Sequence, residues 1–193
     1  MTQPQTTENN SLSLAAAAEV VPQAQVGLQY LLVALAGREY GVRLDVLQEV
    51  LRFNAEAVAP VPNTPDWLDG IISLRGTIIS VVNLRVFLGF SRYDETAGRG
   101  LVFDLGFRLG GPIPRLLVVY IGDLQVGLLV DDILGVVFVN IEALQPIEDE
   151  HDLAAPYLEG IYHDPNSGKS IALLAARQLI TSSKMLQFEP PEN

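Results

Sequence analysis

Few residues in this chain have the type and spacing to do chemistry. The two histidines, His151 and His163, each precede an aspartate, Asp152 and Asp164, in acidic or turn-rich stretches. Imidazole and carboxylate together can bind a divalent cation, but neither helical i,i+4 spacing nor strand pairing organises these four into a ligand set. Gly106, Gly110 and Gly111 match neither GxGxxG nor GxxxxGK[ST], and no helix follows them, so a phosphate cradle is not expected. The absence of cysteine removes thiolate chemistry, disulfides and cysteine-based zinc sites. No nucleophile stands beside a base. No catalytic residue, metal or cofactor is therefore expected. What remains are groups that could hold a partner.

The leading candidate is Arg75. With Gly76 it separates two runs rich in Val, Ile and Thr, residues 70–74 and 77–84. Such runs form strands, and a charged residue followed by Gly joins them as a tight hairpin, because Gly supplies the positive φ of the turn. A guanidinium at the lip of a rigid apolar hairpin can offer a bidentate hydrogen bond or ion pair to a partner's carboxylate. Glu49 is the second candidate, a carboxylate between Leu47 and Val50 on a short element. Leu44, Leu47 and Val136 either fill a core or line a groove able to take the apolar stripe of a partner helix. Trp67, the single tryptophan, is expected in the core or covering the hairpin, and Arg85 is expected to brace the turn before Val86-Phe87-Leu88.

These candidates need a frame to position them. The 193 residues are 49% hydrophobic with a formal net charge of −11, enough for one domain with a sizeable core or two small barrels sharing one. Acidic balance argues against nucleic acid and against an anionic membrane surface. Residues 12–21 imitate a secretory signal only weakly, since no Lys or Arg precedes them and Glu19 interrupts them. Arg75, Asn83, Asp123 and Gln125 break the longest apolar runs, so no spanning helix is expected. A soluble, cytoplasmic protein is the expectation.

Along the chain, residues 1–27 read as a disordered tail and 181–193 as a C-terminal tail. Residues 28–35 and 39–44 read as a hairpin around Ala36-Gly37-Arg38. Asp45 is expected to cap a short helix carrying Val46, Leu47, Val50 and Leu51 on one face. A strand at 58–61, a helical turn at Pro65-Asp66-Trp67 and the central hairpin follow. Further strands are expected at 101–107, 115–121, 124–130, 157–162 and 169–174, with 131–139 open between helix and strand and 149–152 an acidic loop. A helix at 175–180 closes a mostly β domain. Residues 31–50 align without gaps on 117–136: Leu31, Gly41, Asp45 and Val50 meet Leu117, Gly127, Asp131 and Val136. That repeat suggests two β subdomains of like construction.

Between residues 28 and 180 the chain resembles the CheW-like family, which includes coupling proteins of bacterial chemosensory arrays and domains of the CheA kinase and CheV. The likeness rests on Glu39-Tyr40-Gly41, Leu47-Gln48-Glu49-Val50, Asn63-Thr64-Pro65, and residues 70–85 with their Leu-Arg-Gly turn and Val-Val-x-Leu-Arg ending. The resemblance implies two intertwined five-stranded SH3-like barrels, no enzymatic activity, and a link between chemoreceptor cytoplasmic tips and a CheA-type histidine kinase. It further implies that Leu47 and Glu49 contact receptor or kinase, that Gly70 and Arg75 make array contacts, and that Val136, with Leu44, lines the groove between subdomains. Ser73 and Asn83 depart from the family's usual Asn and Asp, and the 90–114 connection is longer and richer in Gly. These departures bear on partner choice, with pilus-driven motility and flagellar chemotaxis both open as outputs. An enzyme or small-molecule carrier using the groove is the alternative class, and the lack of an activated nucleophile speaks against it.

Overall fold

The computed structural model describes residues 27–92, 114–148 and 152–186. The sequence-predicted strand at 101–107 and most of the acidic loop lie outside them. Ten strands fall into two five-stranded sheets. β1 (Leu28–Leu35) and β2 (Arg38–Arg43) form the first hairpin, and β3 (Leu47–Arg52) follows a 3-10 turn at Leu44–Val46. β4 (Leu68–Leu74), β5 (Thr77–Asn83) and the helical turn α1 (Leu84–Phe87) come next. After them run β6 (Arg115–Ile121), β7 (Leu124–Val130), β8 (Asp132–Val139), β9 (Leu158–His163) and β10 (Ser170–Leu174). The helical turns α2 (Ala176–Ile180) and α3 (Ser183–Leu186) end the described chain.

One sheet has the order β8-β1-β2-β10-β9 and the other β3-β6-β7-β5-β4. The two orders are the same construction twice: an antiparallel hairpin, a parallel partner strand beyond it, and a third strand on the open side. The third strands are exchanged. β3 follows the first hairpin in sequence but pairs with β6, and β8 follows the second hairpin but pairs with β1. The repeat read from the sequence is therefore a structural repeat, and this exchange is what intertwines the halves.

The exchange also corrects one expectation. Residues 46–51 are not a helix capped by Asp45. The spacing of Val46, Leu47, Val50 and Leu51 fits a helix, but along β3 burial alternates with a period of two, half-buried at Leu47, Glu49 and Leu51, exposed at Gln48, Val50 and Arg52. Ladder pairing to β6 outweighs the local pattern. Asp45 caps nothing and instead binds Arg43 through two hydrogen bonds. The predicted strand at 58–61 shrinks to one bridge, Ala59 to Ile71, since Pro60 and Pro62 offer no N–H to a ladder. Pro65 to Leu68 is a single turn, closed by the Leu68 N–H on the Pro65 carbonyl at 2.9 Å.

Alternation along the strands builds three apolar clusters. The largest takes Leu31, Val33 and Leu35 from one sheet and Leu117, Val119 and Leu128 from the other, with Trp67, Phe87 and Leu179. It is the seam that joins the halves. Trp67 lies there edge-on to Phe87, with ring centroids 5.3 Å apart. Two smaller clusters, around Tyr30, Ile171 and Leu173 and around Val81, Leu116 and Leu129, use the residues that alternate with the seam. Met185 of α3 packs against the seam, and Lys184 donates to the Phe87 carbonyl.

Candidate functional site

Arg75 and Gly76 form the two-residue turn between β4 and β5, with φ of 50° and 87°. Positive φ at both positions is the hairpin geometry that suits strand twist, and Asn or Gly usually fills its first position. An Arg there costs about 1–2 kcal/mol of backbone strain. Its side chain is 75% exposed, and one terminal guanidinium nitrogen donates to Glu49 Oε2 at 2.9 Å. Glu49 is only 17% exposed, and its other oxygen, Oε1, is buried with no hydrogen-bond partner.

Because β3 and β4 stand at opposite ends of their sheet's order, this pair joins the first strand to the last hairpin. Two residues singled out separately in the sequence thus form one unit. An exposed pair of this kind contributes at most about 1 kcal/mol to stability. It does present a cation with several free donors, held by a carboxylate whose second oxygen is buried.

Leu44 and Leu47 are half-buried against the seam. Val136 is elsewhere, on β8, 53% exposed and opposite Leu31 in the ladder. Leu31 belongs to the seam, so Val136 extends the seam's face outward to the strand edge. Val50 does the same on the other sheet, opposite Leu117 and 37% exposed. Gly70 is buried at a register shift in β4, with φ of 143° and a would-be Cβ only 2.3 Å from the Ala59 carbonyl oxygen. It has no surface to offer, and its conformation is needed to seat the Ala59 bridge.

Asn83 is 1% exposed and at the far end of β5 from Arg75, where its side chain accepts from the Val86 N–H and caps α1. Its departure from the family pattern is accommodated inside the fold and cannot touch a partner, whereas Ser73 is exposed. The bracing role of Arg85 is larger than sequence suggested. It binds Asp131 Oδ2 at 2.6 Å, the same oxygen takes the Ala36 N–H at 2.8 Å, and its Nε donates to the Ser91 carbonyl at 3.2 Å. The repeat marked Asp131, but nothing in the sequence joined it to Arg85.

His163 shares hydrogen bonds with Gln145 and Ser170, and no group of three or more His, Cys, Asp or Glu side chains gathers as a metal site among the described residues. A depression of about 410 Å³ beside β3 is lined by Gln48, Tyr120, Gly122, Asp123 and Gln125, with Gln125 hydrogen-bonded to Gln48 at 3.1 Å. Another of about 510 Å³ has Tyr40, Leu158 and Ala172 in its wall, and its charges are paired, Arg38 with Asp152 and Lys169 with Glu39. The first holds no nucleophile next to a base; the second has Ser170 in its wall, 2.8 Å from His163 Nδ1, but both side chains are solvent-exposed and the other imidazole nitrogen is bonded to Gln145 with no carboxylate to orient the ring.

This fold has counterparts among known proteins. The family model for the CheW-like domain matches residues 29–184. Chemotaxis protein CheW of Klebsiella aerogenes is 27% identical over 161 residues, covering 83% of this chain and 86% of that one. Protein FrzA of Myxococcus xanthus is 27% identical over 144 residues, 75% of this chain and 79% of the relative. The crystal structure of scaffolding protein TtCheW from Thermoanaerobacter tengcongensis shares the fold, with a TM-score of 0.64 at 24% identity over 82% of this chain and 95% of that one. No helix among the described residues is long and apolar enough to cross a membrane. The chain belongs to the CheW-like domain family.

Proposed function

We propose that this protein is a non-catalytic adaptor that couples chemoreceptor cytoplasmic tips to the regulatory domain of a CheA-type histidine kinase, in the cytoplasm at membrane-associated arrays. The observation that carries the reading is the Arg75 turn. A strained, exposed guanidinium paired to a half-satisfied carboxylate is poor design for stability and good design for docking. Arg75 and Glu49 form the polar contact, and the rim that includes Leu44, Leu47 and Val136 takes the apolar stripe of a receptor helix. Pilus-driven motility and flagellar chemotaxis are both outputs such an adaptor could serve.

The test is capture of purified full-length chain by an immobilised kinase regulatory domain and by a receptor-tip helical peptide. Arg75→Glu is expected to weaken kinase capture at least tenfold while the far-UV spectrum and melting temperature stay within error. A folded wild-type chain that binds neither target would sink the proposal.

A further inference from the structure

The internal repeat makes the β8 edge stand out. On β8 and the 3-10 turn after it, Leu134, Val136, Phe138 and Ile141 are 49%, 53%, 43% and 49% exposed. The positions 86 residues earlier, on the exchanged partner β3 and its own following turn, are Gln48, Val50, Arg52 and Ala55. The same fold position thus alternates polar Gln48 and Arg52 with small apolar residues in one half and is wholly apolar in the other. The construction does not require exposed apolar residues there, and an unpartnered patch of this kind marks a contact. Beyond β1, β8 pairs with no strand among the described residues.

The chain itself supplies an occupant. Residues 1–26 precede Gly27, which packs so closely on β8 that a Cβ there would lie 2.7 Å from the Val139 carbonyl oxygen. The N-terminal segment therefore leaves the fold at the end of the patch, two register steps from Phe138. Five residues, 22–26, can span about 17 Å, which equals the run of β8 from Val139 back to Leu134 at about 3.3 Å per residue. Beyond that linker lie residues 12–21, LSLAAAAEVV, whose only charge is Glu19. Tethering at this range gives an effective concentration of about 1 mM, whereas a second copy must come from dilute solution and carries a like net charge of −11.

We propose that residues 12–21 cover the β8 patch of their own molecule and compete there with the receptor helix, a reading that rests on the groove function above for its second half. If the segment covers the patch nine-tenths of the time, the partner sees one-tenth of the molecules, and apparent affinity falls about tenfold.

Because the chain has no cysteine, Ser13→Cys gives a unique spin-label position in the full-length protein. Methyl signals of Leu134 and Val136 and ring signals of Phe138 should broaden selectively, while the Ile78 methyl signals, on the β4–β5 hairpin of the other sheet, should not. Adding Leu12→Glu, Leu14→Glu, Val20→Glu and Val21→Glu should abolish the broadening and strengthen receptor-peptide binding about tenfold. Uniform or absent broadening would overturn covering, and broadening only in mixtures of labelled and unlabelled molecules would overturn the intramolecular form. Selective broadening with peptide affinity unchanged by the four substitutions would overturn competition. A peptide that never binds, with selective broadening intact, would count against the receptor reading and leave the covering established.

Discussion

Three glycines share one backbone conformation and differ in what surrounds them. Gly70, Gly135 and Gly160 have φ of 143°, 150° and 155°, a region that residues with a Cβ almost never enter. A methyl at Gly70 would stand 2.3 Å from the Ala59 carbonyl oxygen and 2.8 Å from Val58 Cγ1, one at Gly160 would stand 2.8 Å from the Gln145 carbonyl oxygen, and one at Gly135 would meet nothing within 4 Å. Substitution by Ala should therefore carry a common strain of about 1–3 kcal/mol at all three. At Gly70 and Gly160 the clash is relieved only by parting a bridge: Ala59 from Ile71, with bonds of 2.8 and 2.9 Å, or Gln145 from Ile161, with two of 2.9 Å. Each bond contributes about 1 kcal/mol net. The expected losses are about 2 kcal/mol for Gly135→Ala and about 4 for both Gly160→Ala and Gly70→Ala. Urea unfolding with a constant m-value measures them, and the Gly70 variant should melt about 8–16 °C below wild type. A Gly70→Ala protein that melts within 2 °C of wild type yet loses kinase binding would refute this account and make Gly70 a contact residue. Equal losses at all three positions would show that the close approach to the carbonyls does not matter.

Asp131→Asn should destabilise by about 3 kcal/mol, because the 11%-exposed Arg85 side chain keeps its burial and loses its counter-charge; chemical denaturation measures it. Arg75→Ala should change stability by less than about 1 kcal/mol but weaken kinase capture, a split read by pairing thermal melts with titration. Asp164 is held below the ordinary carboxylate range, first by the Ser167 hydroxyl and then by backbone N–H groups of the same turn. A depressed folded pKa means that its contribution is fully present above the unfolded value, near 3.8, and is lost as pH falls through the lower folded value. Melting curves between pH 6 and 2.5 should show a smaller acid loss for Asp164→Asn than for wild type, and identical profiles would remove Asp164 from the account.

Hairpins were legible in the sequence because their signals are local. Ala36-Gly37 and Arg75-Gly76 lie between apolar runs, and each turn sits where the pattern put it. The element at 46–51 was misread because its identity is set by a ladder with β6, about 70 residues away, and its apolar spacing satisfies a helix equally well. The match of residues 31–50 to 117–136 marks the repeat as far as residues 50 and 136. With the fold in hand it continues: Asn54 and Asn140 both accept from the N–H two residues on, to open a 3-10 turn, and Glu56, Ala57 and Pro60 recur as Glu142, Ala143 and Pro146. The pairing of Glu49 with Arg75 was not legible, since it depends on the sheet bringing its first strand to its last hairpin.

An internally duplicated molecule contains its own control for separating construction from function. What both halves keep is needed to build either one: Gly41 and Gly127 under Leu173 and Leu116, Gly70 and Gly160 under their bridging carbonyls, the two asparagine caps. What only one half has is free to serve a partner. By that test Glu49, opposite Gly135 in the repeat, is a position the construction does not require, whereas Gly70 is one it does. Val50 and Val136 are the same residue on equivalent edges, so valine there is strand material as much as contact. The discriminating positions are its neighbours, Leu134 and Phe138 against Gln48 and Arg52. Giving β8 the residues of β3, Leu134→Gln with Phe138→Arg, should leave the melting temperature within a few degrees, because exposed edge positions change stability by about 1 kcal/mol at most, and should abolish receptor-peptide binding. Retention of binding in the folded double variant would move the receptor surface off β8, onto the half that carries Glu49 and Arg75.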